Sequence, residues 1–285
     1  MTPFPHGPVI LRSCLCFSIA LAGAMPSNGQ SGKTPEGLFY SSFPGQPAPS
    51  RELLTALVNQ VRWDTPQAGD RNPDGLRLRF EKIDTEGTAG ASYRVFAEGA
   101  PANKVYGLTL WGIGQKLADD ARDLYINDQG LVMIHRPRPG QDIAFKAPGD
   151  ELELTPEAGT AEPVRYMLSS KDDQLSILGT LVPRPLVAQD QACTLELRMA
   201  EPHATAILLV AEGFAANAKI QLVLESEGQT IHMTMPTNSS GHGEVANFPS
   251  VPGKTQGSLE VTAEGKSCLP EAVLPWGAPP EPKAP

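Results

Sequence analysis

Few residues in this chain have types and spacings that could do chemistry. The histidines are His6, His135, His203, His232 and His242, and the cysteines are Cys14, Cys16, Cys193 and Cys268. No two histidines stand at the spacing of metal ligands. His242 is set in Ser240-Gly241-His242-Gly243-Glu244, where flanking glycines would expose an imidazole beside a carboxylate. Such a pair could act as a general base, but a hairpin-tip histidine is ordinarily a solvated loop residue. Asp119, Asp120, Asp123 and Asp128 form a group of oxygen ligands that makes a weak Ca²⁺ candidate. Their spacing follows no EF-hand pattern and Arg122 interrupts them, so a solvated acidic loop is expected.

Other chemistries lack a foothold. There is no Gly-x-Ser-x-Gly, hence no strained elbow to present a hydrolase serine. Gly32-Lys33-Thr34 and Gly253-Lys254-Thr255 end like a phosphate loop, but Ser27 and Phe248 occupy the place of its first glycine. Trp63, Trp111 and Trp276, with Tyr106, Tyr125 and Phe214, could make a sugar platform. At 6% aromatic residues, core packing claims most of them. No catalytic residue, metal or cofactor is assigned from the sequence.

The elements that would position these groups begin with a leader. Arg12, the apolar stretch Cys14–Leu21 and the small residues Ala22-Gly23-Ala24 read as a signal peptide over 1–24. The apolar run is too short for the ~20 residues of a membrane helix, so the mature chain is expected to carry no transmembrane segment. Cleavage removes Cys14 and Cys16. Cys193 and Cys268 then remain in an oxidising compartment, which favours one disulfide between them. A net charge of −9 and the absence of any basic run exclude nucleic acid and anionic membrane surfaces as partners.

Residues 25–49 read as an extended lead-in rich in Ser, Gly and Pro. Ser50 is a fit N-cap for a helix over 50–63, with Leu53, Leu54, Leu57, Val58 and Val61 on one face. That stripe is expected to pack on the neighbouring β unit. Beyond it, 27 Gly and 28 Pro among 285 residues exceed the roughly 12% usual for soluble chains, and argue for many short strands. Leu76–Phe80, Tyr93–Ala97, Leu124–Ile126, Leu131–Ile134, Asp142–Phe145, Glu151–Leu154, Pro163–Leu168 and Leu175–Leu181 follow strand patterns between turn residues. Asn127-Asp128-Gln129-Gly130 is a hairpin tip. Val182-Pro183-Arg184-Pro185 reads as a stiff crossing within a linker over 182–190, and 278–285 as a disordered tail.

The second half repeats this plan. Ala97-Glu98-Gly99-Ala100-Pro101-Ala102-Asn103 returns as Ala211-Glu212-Gly213-Phe214-Ala215-Ala216-Asn217, and seven of the fourteen residues in Ala97–Leu110 are identical at that offset. Cys193–Leu197 alternates as Leu76–Phe80 does, Asn238-Ser239-Ser240-Gly241 takes the place of the earlier hairpin tip, and Ser258–Thr262 reads as the last clear strand.

Gly213-Phe214, Asn217, the alternating Ile220, Leu222 and Leu224, then Asn238 to Gly241, Pro252-Gly253-Lys254 and Cys268 resemble the bacterial Ig-like, IPT/TIG-like repeats of secreted proteins. The resemblance covers Cys193 to about Gly277 and, more loosely, Leu76–Leu181. There Ala100 replaces the phenylalanine and no cysteine occurs. It implies an extracellular spacer or binding module with no catalytic residues. If that fold holds, Cys193 opens the first strand of its unit and Cys268 follows the last, so the pair closes the unit end to end.

The expected architecture is mainly β: two tandem Ig-like β-sandwiches over 76–181 and 191–277, behind a signal peptide and one short helix. The expected function is an exported, non-enzymatic binding, adhesion or spacer protein of the cell envelope or extracellular space. Its partner would be an unknown protein or carbohydrate. Candidate binding loops carry Gly99, Asn103, Gly213, Phe214, Asn217 and His242. The alternative is a small secreted hydrolase or carbohydrate-active protein whose carboxylates assemble only in three dimensions.

Overall fold

The computed structural model describes residues 29–34, 37–64, 72–73, 75–83, 91–135 and 149–277. The expected leader 1–24, the strand expected at 142–145 and the tail 278–285 lie outside the described residues. So does the side chain of Trp63. What is described is mainly β, in several sheets.

The lead-in departs first from expectation. It forms β1 (Gln30–Lys33) and β2 (Phe39–Ser42), an antiparallel pair. Helix α1 (Arg51–Asp64) follows. The Ser50 hydroxyl accepts the Leu53 N–H at 3.2 Å, which satisfies one of the orphan donors of the first turn. Glu52 sits in that turn, its pKa lowered by a backbone hydrogen bond and by the Ser50 side chain.

The next strands are β3 (Arg77–Ile83), β4 (Ser92–Glu98), β5 (Tyr106–Trp111), β6 (Ala118–Ile126), β7 (Val132–Ile134), β8 (Asp150–Glu151), β9 (Glu153–Leu154), β10 (Val164–Ser170) and β11 (Ser176–Leu181). They make a three-stranded sheet, β3-β4-β9, facing a six-stranded one, β11-β10-β5-β6-β7-β8. Between the two sheets lies a core built on Val95, Tyr106, Leu108, Leu124, Leu168 and Ile177. The alternation expected at Leu76–Phe80 is realised, with Leu78 buried between exposed Arg77 and Arg79.

The remaining strands are β12 (Leu186–Asp190), β13 (Cys193–Met199), β14 (Ile207–Glu212), β15 (Lys219–Ser226), β16 (Gln229–Pro236), β17 (Gly243–Phe248), β18 (Gln256–Glu264) and β19 (Glu271–Gly277). Two corrections follow. The expected linker 182–190 ends in β12, which pairs with β13 through its alternating Leu186 and Ala188. Among the described residues the last strand is β19, not Ser258–Thr262, because Ala272, Leu274 and Trp276 alternate into the core.

The two halves share a plan. In the second, the sheet β16-β15-β18-β19 has the same order as β6-β5-β10-β11 in the first. The sheet facing it runs β1-β2-β17-β14-β13-β12. Its core is separate from that of the first half and is built on Leu195, Leu197, Leu209, Leu222, Val261 and others.

Two insertions tie the chain together. Strand β2 pairs in parallel with β17, and the next residue, Phe43, is fully buried in the second core. The lead-in therefore belongs to the second half, and the first half is inserted between it and β12, while α1 also packs against β11 of the first half. Leu57 of α1 is buried with Ala206, Ala246 and Phe248 on the outer face of this sheet. Ala161, from the segment before β10, is also buried in the second core. Its N–H donates to the Arg184 carbonyl at 2.8 Å, and its carbonyl accepts the Met199 N–H at 2.7 Å. Ala161 is held at a φ of 61°, a left-handed conformation that a residue bearing a Cβ adopts only where its surroundings over-determine it.

Candidate binding surfaces

The register of the second half separates two ends. Cys193, Gly213 and His242 lie at one, and Met199, Pro202, Ser226, Gly257 and Gly277 at the other, next to the first half. The candidate loop residues of this half gather at the first of these, the free end.

Gly213 follows β14 with a φ of 73°. A Cβ there would stand 2.0 Å from the Ala192 carbonyl oxygen, so only glycine allows the turn to close on the start of β13. Asn217, at a φ of 51°, is exposed and donates its N–H to the Asn238 carbonyl at 2.9 Å. Phe214 faces inward. It is buried in the second core beside the cystine, and a Cβ on Gly265 would meet both the Phe214 ring and the Cys268 sulfur. It is thus a packing residue of the free end, and the loop offers no exposed aromatic there.

Cys193 and Cys268 are joined, with their Cα atoms 6.1 Å apart. The bond runs from the start of β13 to the loop between β18 and β19, and so links the two facing sheets rather than the first and last strands. Leu269 N–H donates to the Asp190 carboxylate at 2.6 Å beside it.

His242 is not a solvated tip. Its side chain is only 12% exposed, with Nδ1 3.0 Å from a Glu212 oxygen and Nε2 2.7 Å from a Glu244 oxygen. Burial raises the pKa of Glu244, an effect the hydrogen bond from His242 opposes. The bidentate Arg198–Glu196 pair on β13 lies near, and Arg198 also lowers the Glu244 pKa. Both ring nitrogens are engaged by carboxylates, which leaves neither free to take a proton from a substrate. The reading of His242 as a solvated loop residue fails because β14 and β17 bring Glu212 and Glu244 to either side of it. Periodicity alone could not show that pairing.

In the first half, Gly99 (φ 73°) closes the matching turn and Asn103 is exposed in the loop after it. The acidic group is distributed along β6, which starts earlier than expected because a bulge lets Ala118–Asp123 pair with β5. Asp119 pairs with Arg122, and Asp123 with Lys171. Asp128 is in the hairpin tip, and Asp120 has its pKa raised by burial. Among the described residues no three His, Cys, Asp or Glu side chains come together to hold a metal ion. Two carboxylates of the Ca²⁺ candidate, Asp119 and Asp123, are thus already paired with cations of the chain itself. Of the sugar-platform candidates, Tyr106, Tyr125, Phe214 and Trp276 are buried, the Trp276 indole donating to the Ser226 hydroxyl at 2.9 Å, while Trp111 is half-buried.

Sequence reasoning missed the other end entirely. Where the halves meet, a cleft of about 830 Å³ opens between Ile113 and Gly159–Glu162 of the first and Met199, Pro202, Glu227 and Leu274–Gly277 of the second. Its walls come from strands and loops of both halves, spread between Ile113 and Gly277, so no local motif marks it.

No protein-family model matches this chain. No curated protein matches it either. The chain is similar, at 11% identity and a TM-score of 0.25, to a solved structure described as a tetra-tandem repeat in the extending region of a large adhesion protein. The match covers 71% of this chain and 50% of that one, so this chain spans about half of its length. Among the described residues no helix is long and apolar enough to cross a membrane.

Proposed function

We propose that this chain is exported and works as a non-enzymatic spacer or binding protein made of two Ig-like, IPT/TIG-like sandwiches. The observation that carries this reading is the repeated sheet order around two separate cores, fixed end to end by Ala161 and the β12 hairpin. A pair of sandwiches held in this way presents loops at its far ends at a set distance, which is what a spacer or an end-binding module requires. The Cys193–Cys268 cystine supports export, because such bonds persist in oxidising compartments.

Two measurements test it. Residues 1–28 fused to a phosphatase that is active only after export should give activity outside the cytoplasm, and a cytoplasmic fusion product would refute export. Small-angle scattering of the mature chain should fit one elongated rigid body. A distribution of inter-unit distances would refute the spacer.

The hydrolase alternative has one observation in its favour, the presence of Glu162 and Glu227 in one cleft. Hydrolysis by paired carboxyls needs one of them held protonated as the acid. Glu162 accepts the Gly159 N–H at 2.6 Å and Glu227 accepts the Ser258 N–H at 3.3 Å, so both carboxyls are engaged as acceptors by the backbone. We therefore retain the non-enzymatic reading.

A further inference from the structure

We propose that two copies of this chain pair along the free edge of β12, antiparallel about a two-fold axis, to form a homodimer. This goes beyond the spacer reading by naming a partner, a second copy.

β12 ends its six-stranded sheet, with β13 on one side and no strand on the other. It turns into β13 through the two-residue loop Gln191-Ala192, with Asp190 opposite Cys193. Such a loop makes the pair beside it a hydrogen-bonded one, and hydrogen-bonded pairs alternate along the ladder. Asp190, Ala188 and Leu186 therefore turn their main-chain groups to β13. Those of Val187 and Gln189 point to the open edge, where no other described residue bonds them. The side chains of these two residues are exposed as well. The contact of β12 with β19 is made across the core, on the face that carries Leu186 and Ala188.

An open edge invites pairing unless shortness, charge, proline or a covering element blunts it. Other outer strands have such a device. β8 and β9 are two residues long, β3 exposes Arg77, Arg79 and Lys82, and β1 ends in Lys33. β16 and β19 contain Pro236 and Pro275, and β11 lies against α1 and β3. From Leu186 to Gln189, β12 is uncharged and free of proline.

Charge and apolar contact both favour a second copy as the occupant. Leu186 and Ala188 pack on the second core yet stay half-buried, and Val187 is 49% exposed. With Val187 opposite Val187 of the second copy, each Leu186 meets an Ala188 and each Arg184 lies opposite an Asp190. Within one chain Arg184 donates to the Ala158 carbonyl and Asp190 accepts the Leu269 N–H, so neither meets an opposite charge among the described residues. The two-fold supplies one to both. Main-chain bonds then join the two Val187 residues, and run from each Gln189 N–H to a Pro185 carbonyl, where proline needs no N–H. A strand of five residues makes a small contact, so the dimer is weak and concentration-dependent.

The test is the mass of the mature chain, by sedimentation across a concentration series. It should rise from monomer to dimer. Val187→Pro removes an N–H that bonds nothing within the chain, so it should keep the melting temperature and stay monomeric. Arg184→Glu makes both ends of the edge acidic, and Asp190→Lys makes both basic. Each alone should stay monomeric, and an equimolar mixture of the two should dimerise. A mass that stays monomeric throughout, a Val187→Pro chain that dimerises like the natural one, or a mixture no more associated than its parts would overturn the proposal. The spacer reading would stand in each case, because it turns on rigidity within one chain.

Discussion

Gly99 and Gly213 occupy one and the same place in the two halves. Gly99 follows β4 and Gly213 follows β14, each has a φ of 73°, and each presses its Cα side against a carbonyl, Gly75 for one and Ala192 for the other. A methyl group at either would meet backbone oxygen and force a left-handed alanine. Gly99→Ala and Gly213→Ala should each cost roughly 2–3 kcal/mol. Because the cores are separate, urea denaturation followed by near-ultraviolet CD should show each substitution moving a different part of the transition. A variant that leaves stability unchanged would contradict the close approach.

Phe43 should be worth more to the second half than any residue of its own hairpin. It fills a fully buried slot in a core otherwise drawn almost wholly from 193–276. Phe43→Ala should cost about 3–5 kcal/mol, and Trp276 fluorescence, whose indole reports that core, should follow the loss. A fragment over 191–277 lacks β2, β12 and Phe43, so it should be far less stable than the same unit in the whole chain.

The cystine closes a separation of 75 residues. In the chain-entropy model such a loop is worth roughly 4 kcal/mol. A Cys193→Ser, Cys268→Ser variant should melt markedly lower than the oxidised chain. Reductant should lower the melting temperature of the natural chain and leave that of the variant where it is.

Where the second half has its cystine, the first has an ion pair in the matching loop, Lys104–Asp172 at 2.6 Å. The hydrogen bonds from Lys104 and then Ser170 hold the Asp172 pKa at about 2. A lowered carboxylate pKa contributes stability above its unfolded value, and that contribution is lost as pH falls through about 2. Asp172→Asn should therefore destabilise slightly at pH 7, by an amount small for so exposed a pair. The difference from the natural chain should vanish between about pH 4 and pH 2 in a melting series.

Leu131 is the first half's counterpart of His242. Asn127 accepts the Gln129 and Leu131 N–H groups at 2.9 Å each, as Asn238 accepts those of Ser240 and His242 at 2.9 and 3.1 Å. His242→Leu would copy the first half, but would strip Glu244 of the hydrogen bond that opposes its burial. The Glu244 pKa should then rise further, measurable from the pH dependence of its side-chain carbon shift. A carboxyl with a raised folded pKa favours folding while protonated and loses that contribution as pH climbs through it. The variant's deficit should accordingly grow with pH.

Much of this was legible along the chain. Ser50 as a cap, the alternation in β3 and β13, the two Asn-x-x-Gly tips and the two Ala-Glu-Gly turns are local patterns, because backbone propensity and side-chain period act over a few residues. Cys193 and Cys268 were the only cysteines left for a bond once a leader was read. What failed was what distance in sequence conceals. The lead-in looked like a spacer because Ser, Gly and Pro dominate it, yet four of its residues find a partner edge in β17, some two hundred positions away. Phe214 and His242 looked like loop residues because their covering partners come from other strands.

The sequence by itself determined the β character, the duplication and the absence of local catalytic motifs, since these follow from residue type and short-range spacing. Tertiary structure alone decided that the lead-in completes the second half, that Ala161 locks the halves together, and that Glu162 and Glu227 share a cleft. Burial and pairing across long separations depend on which surfaces meet, and no residue carries that information in its neighbours.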